Sequence, residues 1–87
     1  MATIYHPTEK KIKYKRDFVN SIFKYKRIDM PRKEIEESRE LQSEILYQVE
    51  ICEGLNCPVP FETIIEWIES NNVRKIQNEA RRIKFAS

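Results

Sequence analysis

Few side chains in this sequence could take part in metal or redox chemistry. The 87 residues include one histidine, His6, and two cysteines, Cys52 and Cys57. A structural zinc site takes four Cys or His ligands, so one histidine and one cysteine pair leave it incomplete within a single chain. We therefore predict no metal site and no cofactor. We also predict two free thiols, one of them in the core, with a disulfide across this short loop as the alternative.

Candidates for acid–base or nucleophilic catalysis are equally few. A Ser–His–Asp or Cys–His arrangement would have to recruit His6, and a chain whose only glycine is Gly54 cannot form a glycine-rich phosphate loop. Glu62, Glu66 and Glu69 recur at helical spacing, but such carboxylates are far more often a solvated stripe than a catalytic pair. The sequence predicts that the protein is not an enzyme, and we assign no catalytic residue.

Charge is sorted along the chain into three blocks. Residues 1–33 carry ten Lys or Arg against three acids, residues 34–70 carry one base against ten Glu, and residues 71–87 carry five bases against one Glu. The net charge of +2 therefore hides two basic ends and an acidic middle. Such blocks either cancel one another within the fold or form separate surfaces for partners, and we expect the second. The expected function is binding.

Two basic stretches have the composition of nucleic-acid-binding surfaces. In residues 14–27 cations alternate with Tyr and Phe, a pattern in which cations neutralise phosphates and aromatic faces stack on unpaired bases. In residues 73–84 four cations flank Gln77 and Asn78, amides of the kind that read adenine edges. The predicted nucleic-acid-binding residues are Lys15, Arg16, Lys24, Lys26, Arg27, Arg74, Lys75, Asn78, Arg81 and Arg82.

Each basic stretch also has an interpretation that needs no ligand. In the first, Phe18, Ile22 and Tyr25 are core residues and the lysines only keep the helix soluble. In the second, the cations pair with the acidic middle of the same chain.

An acidic surface is predicted for a protein partner. It consists of the Glu stripe and an aromatic residue at the edge of the same helix, namely Glu62, Glu66, Trp67 and Glu69. The alternative for Trp67 is a partly buried place in the core, which is the usual position of Trp in small domains.

The elements that position these residues are predicted to be helices, because a chain with one glycine and 34% charged residues is unlike turn-rich β proteins. We predict an all-α fold, a small bundle of three to four helices with a helix-turn-helix-like C-terminal pair. Residues 1–16 are predicted to form an extended basic arm, and residues 17–87 a single helical domain. The predicted helices are residues 17–28, 32–53, 60–70 and 73–84. The predicted core is Leu41, Ile45, Val49, Phe61, Ile64, Ile68, Ile76, Ala80 and Ile83.

Local signals set these boundaries. Asp17 is a plausible N-cap for the first helix, and Pro31 and Pro60 fit the first turns of the second and third helices. Gly54 is predicted to end the second helix as its C′ residue. Pro7 argues against a helix at the N-terminus.

Part of the chain resembles a known family. Residues 47–72, with Val49, Glu50 and Leu55 leading into the run 61–73, resemble the central helix pair of the tailed-phage late-transcription coactivators, and residues 75–80 are similar to a later helix. The resemblance implies a small helical protein that binds the RNA polymerase flap and links it to a sliding clamp without being an enzyme. That family ends in an acidic-hydrophobic tail that engages the clamp. Residues 81–87 are basic instead, so this chain departs from the family in the segment that engages the clamp.

These observations predict a non-enzymatic regulatory or adaptor protein that binds nucleic acid or a nucleoprotein machine such as RNA polymerase, together with a protein partner. The alternatives are a phage-type inhibitor that acts purely by protein interaction through its acidic helix face, and a small subunit of a large assembly.

No apolar run approaches the roughly 18–20 residues that span a bilayer, and no secretory signal is recognisable. We expect a soluble protein of the cytoplasm, the host cytoplasm if it is viral, with no membrane and no small-molecule substrate as partner.

Overall fold

The computed structural model describes residues 7–85, with side chains from Lys13 onwards, and these residues form four α-helices. The helices are α1 (Pro7–Lys26), α2 (Arg32–Gly54), α3 (Phe61–Ser70) and α4 (Val73–Phe85). The central element is α2, on which the other three helices pack. The predicted all-α class is confirmed, and the predicted bounds of the last three helices agree with the structure to within one residue.

The first helix is longer than predicted. Because α1 begins at Pro7, residues 7–16 of the predicted arm are helical, and Asp17 lies inside the helix instead of capping it. The backbone N–H groups of the first helical turn have no partner within the helix, so a proline, which lacks this N–H, loses no hydrogen bond there. Pro7 is therefore a start signal and not a break. Residues 1–6 of the predicted arm lie outside the described residues.

The core lies where α1, α3 and α4 meet α2. Seven of the nine predicted core residues are buried, while Phe61 is 44% exposed and Ile83 is half-buried. Several other buried side chains complete the core, namely Val19, Phe23, Cys52, Cys57, Val59 and Trp67. The core therefore extends from α1 across α2 to both C-terminal helices.

The face of α1 that packs on α2 differs from the predicted one. Val19 and Phe23, one turn apart, are completely buried, whereas Phe18 and Ile22 are half-buried and Tyr25 is 76% exposed. Successive helical residues are about 100° apart, so Tyr25 points well away from Phe23. The assignment of Tyr25 to the core is wrong.

The end of α2 is closed by an asparagine and not by glycine. Gly54 is the last residue of the helix and has no positive φ, whereas Asn56 has a φ of 62°. The backbone N–H of Cys57 donates to the carbonyl oxygen of Cys52 at 2.8 Å across this turn. Asparagine adopts the left-handed region more readily than most residues, so it replaces the predicted glycine in this role.

Two further asparagines join α3 to α4. Asn71, with a φ of 51°, ends α3 in the left-handed conformation. The side chain of Asn72 then caps α4, because its Oδ1 accepts a hydrogen bond from the backbone N–H of Lys75 at 3.1 Å. A two-residue connection thus holds the C-terminal helix pair.

Candidate nucleic-acid interface

One side of α4 carries four exposed cations, Arg74, Lys75, Arg81 and Arg82. In the described part of the chain, no carboxylate oxygen lies within 4.0 Å of a charged nitrogen of these four residues, so none of them forms an ion pair. Asn78 and Phe85 are exposed on the same side. These six residues are termed the α4 basic face. The structure brings together all five C-terminal residues that the sequence predicted for nucleic-acid binding.

The spacing of apolar residues in α4 explains why this face is exposed. Ile76 and Ala80 are buried against α2, and Val73 and Ile83 are half-buried beside them. At 3.6 residues per turn these positions form one stripe, which turns the cations to the opposite side. Of the three α4 residues predicted for the core, Ile76 and Ala80 are buried and Ile83 is half-buried.

A shallow groove of about 380 Å³ runs along the α4 basic face. Its lining residues are Asn72, Arg74, Lys75, Asn78, Glu79 and Arg82. The only acid among them, Glu79, is half-buried and accepts a hydrogen bond from the indole N–H of Trp67. The groove is therefore lined mainly by cationic and amide groups.

The predicted nucleic-acid-binding role of Lys15 is wrong. Lys15 is 7% exposed, and its ammonium group forms an ion pair with Glu53 of α2, which is 5% exposed. Lys15 lies one turn before Val19 on the face of α1 that packs against α2, so packing buries it. A buried, paired ammonium group is not available to phosphate.

Arg16 of α1 and Arg27, which directly follows α1, are also held by groups of the same chain. Arg16 donates from Nη2 to Oε1 of Glu50 at 2.7 Å, a pair that is about half exposed. Arg27 donates from Nε to Oγ of Ser38 at 3.0 Å and from Nη2 to Oε1 of Gln42. Its guanidinium also lies 5.6 Å from the centre of the Phe23 ring. These contacts fix α1 on α2 and reduce what α1 can offer to a ligand.

The last two predicted cations of α1, Lys24 and Lys26, are exposed. The ammonium group of Lys26 lies 3.5 Å from the carbonyl oxygen of Ile68 and 5.8 Å from the centre of the Phe23 ring, so it contacts both its own helix and α3. Lys24 is exposed. The predicted alternation of cations and aromatics in residues 14–27 therefore does not form one continuous basic surface.

The acidic stripe of α3 is exposed, but its predicted aromatic neighbour is not. Glu62, Glu66 and Glu69 lie opposite the buried residues of α3. Trp67 is completely buried, with its indole N–H bonded to Glu79. Of the two predicted positions of Trp67, the core is confirmed and the exposed interface is wrong, because the apolar face of α3, on which Trp67 lies, packs into the core.

The two cysteines are buried, and no disulfide joins them. Burial raises the pKa of the Cys52 thiol above its ordinary value of 9.0, an effect that the nearby charges of Lys84 and Lys15 partly oppose. Among residues 13–85, whose side chains the structure describes, no group of three or more His, Cys, Asp or Glu side chains is arranged to hold a metal ion. The raised pKa disfavours the thiolate, which is the reactive form of cysteine.

A second groove lies between α1 and the α2–α3 connection. It has a volume of about 810 Å³ and is lined largely by aromatic and proline side chains, among them Tyr14, Phe18, Pro58, Pro60 and Phe61. The rings of Phe18 and Phe61 meet edge to face with their centres 5.0 Å apart. Sequence reasoning did not identify this groove, because it depends on how α1 and the proline-rich connection come together.

None of the helices among the described residues is long and apolar enough to cross a membrane.

A comparison of the sequence with models of known protein families found no match, and comparisons with curated proteins and with solved structures found none either. The resemblance of residues 47–80 to the phage late-transcription coactivators therefore stays a prediction.

Proposed function

We propose that the protein is a non-enzymatic regulatory or adaptor protein that binds nucleic acid, alone or within a nucleoprotein machine such as RNA polymerase, through the α4 basic face. The proposal rests on one contrast between the two basic ends. The contacts of Lys15, Arg16 and Arg27 tie α1 to α2, whereas the four cations of α4 are exposed without ion pairs in the described structure. Cations left over after folding are available to neutralise phosphates.

The arrangement of the cations suits an extended polyanion. Arg74 and Lys75 form one pair and Arg81 and Arg82 a second, seven residues further along the helix, which places the pairs roughly 10 Å apart at a rise of 1.5 Å per residue. Arginine side chains can hold phosphate oxygens with two parallel hydrogen bonds. Two pairs on one rigid helix can therefore contact successive phosphates without a large ordering cost.

The proposed cellular role follows from the binding. A protein of this kind would act in the cytoplasm, the host cytoplasm if it is viral, without a cofactor and without catalysis. The resemblance to the phage coactivators supports RNA polymerase as the machine. The acidic stripe of α3, Glu62, Glu66 and Glu69, would then remain available to a protein partner.

Fluorescence anisotropy with labelled single-stranded and duplex oligonucleotides tests the proposal. If the four cations neutralise four phosphates, affinity should fall about 50- to 150-fold between roughly 50 mM and 200 mM salt. The double substitution Arg81→Glu and Arg82→Glu should abolish binding. Its matched control is Arg32→Glu with Lys33→Glu, which makes the same change in net charge at exposed positions at the start of α2.

Three results would reject the proposal. The first is no binding at about 50 mM salt, and the second is binding without salt dependence, since phosphate contacts release counterions. The third is an equal loss in the α4 double variant and in the α2 control, because that would show a response to net charge and not to the α4 basic face.

A second candidate function is supported by the exposure of the acidic stripe. Glu62, Glu66 and Glu69 lie on the side of α3 away from the core, where a row of carboxylates could imitate a phosphate backbone. A phage-type inhibitor could then bind a nucleic-acid-binding protein directly. In that case the sensitive positions are the three glutamates and not the arginines of α4.

A further inference from the structure

We propose that the nucleic acid bound by the α4 basic face is single-stranded, and that the ring of Phe85 is the platform on which one of its bases stacks. The inference rests on the proposed function, because it names the ligand class of the same surface. It starts from the most exposed large apolar side chain of the described residues.

Phe85 is 81% exposed, although it belongs to a helix whose other face is well packed. It follows Arg81 by four residues and Arg82 by three, so helical geometry places its ring beside both guanidinium groups. Asn78 lies two turns earlier on the same side. The ring thus stands at the C-terminal end of a row of groups that can contact phosphate.

An exposed ring beside cations has the composition of a single-strand binding surface. Cations follow the backbone while an aromatic face stacks on a base, and such stacking tolerates any base because each one has a π-face. In a duplex the base faces are already stacked on one another, so the Phe85 ring would gain nothing there. The position of Phe85 therefore favours a strand with free bases.

The groups that could read base edges in a duplex are few on this helix. The side-chain amide of Gln77 donates to Oε1 of Glu44 at 2.8 Å, which ties it to α2. Of the two amides of α4, Asn78 alone remains exposed without such a bond in the described structure. The α4 basic face thus has few groups that could read base edges by paired hydrogen bonds, but it has four cations for phosphate contact and one ring for stacking.

The test compares a single-stranded oligonucleotide of about 12 bases with a duplex of the same length at one fixed salt concentration. The unsubstituted protein should bind the single strand at least about tenfold more tightly than the duplex. Phe85→Leu, which keeps an apolar side chain but removes the ring, should weaken single-strand binding about tenfold, in the lower part of the range for stacking on one base. Phe85→Trp should retain the affinity. The salt dependence should be the same in all three proteins, because the cations are unchanged.

Fluorescence gives a second readout that does not depend on affinity. Trp67 is buried and reports the fold, whereas Phe85→Trp adds an exposed indole on the α4 basic face. Stacking of a base on that indole should quench its emission when the single strand is added, and the duplex should cause little change.

The control variant for the affinity measurements is Tyr25→Leu, which removes an exposed aromatic ring from α1 and should leave single-strand affinity unchanged.

Several results would overturn the inference. Duplex affinity equal to or above single-strand affinity would do so, as would a Phe85→Leu protein that binds like the original, or equal losses in Phe85→Leu and Tyr25→Leu. Each of these leaves the proposed function intact as long as Arg81→Glu with Arg82→Glu removes salt-dependent binding. Absence of binding to both oligonucleotides rejects the proposed function itself.

Discussion

Lys15 and Glu53 form a charged contact inside the α1–α2 interface, where both residues are more than nine-tenths buried. Removing a charge from water costs several kcal/mol, and this cost is offset only when a partner of opposite charge is in place. We therefore expect the pair to contribute less to net stability than to specificity, since it disfavours packing arrangements in which either group is left alone. This property belongs to two residues 38 positions apart, so no local pattern in the sequence could indicate it.

Substitution of Lys15 by Met tests this view of the pair. The variant keeps the length of the side chain but leaves the Glu53 carboxylate buried without a cation, so we expect the free energy of unfolding to fall by about 3–5 kcal/mol. Urea denaturation followed by the fluorescence of buried Trp67 measures the change. The double variant with Glu53→Met should regain most of the loss. A double variant no more stable than Lys15→Met would contradict the explanation.

At the scale of the helix, the start of α4 depends on one side chain. Asn72→Ala removes the acceptor of the Lys75 backbone N–H, and we expect a loss of about 1 kcal/mol in unfolding free energy. Asn72→Asp is the matched control, since its carboxylate can accept the same hydrogen bond and also favours the positive end of the helix dipole. Thermal unfolding measured by circular dichroism should place the Ala variant lowest. Equal stability of the Ala and Asp variants would show that the cap contributes little.

Sequence patterns located α2, α3 and α4 because their boundaries depend on local chemistry. Proline before a helix and asparagine at a break act within a few residues, and both act here as start and stop signals. The start of α1 was misplaced since Pro7 can either break a helix or begin one, and only the packing of the following turns decides which. The inward face of α1 was misplaced for a related reason: Phe18 and Val19 are adjacent apolar residues, and the sequence does not say which of them faces α2.

The candidate site, like the fold, was predictable only where it depends on local sequence. The α4 cations follow from a clear helical period, so their common face could be derived from residues 73–84 alone. The α1 cations could not be assigned in this way, because their availability depends on acids and amides of α2. Trp67 lies at the edge of an apolar face, so the sequence was compatible with either an interface position or a core position. Tertiary packing buries it in the core.

Across the whole molecule, the two basic blocks are placed differently by the fold. The N-terminal basic block is partly neutralised by the acidic middle, through contacts such as Lys15 with Glu53 and Arg16 with Glu50. In the C-terminal block, Arg74, Lys75, Arg81 and Arg82 are exposed on the surface. The acidic stripe of α3 is likewise exposed. The fold therefore presents a positive helix and a negative helix side by side in sequence, joined by two asparagines.

Replacing Glu62, Glu66 and Glu69 together by Gln tests whether the acidic stripe affects binding by the α4 basic face. The change keeps size and hydrogen bonding but removes three negative charges from the helix next to α4. If nucleic acid is the ligand, long-range repulsion falls and affinity for an oligonucleotide should rise several-fold at low salt, with the gain disappearing as salt screens the charges. If the protein is instead an inhibitor that imitates phosphate, the same variant should lose its activity against the partner. Anisotropy over a salt series measures the first effect. Unchanged affinity at the lowest salt would contradict this prediction and show that the acidic stripe is electrostatically independent of the α4 basic face.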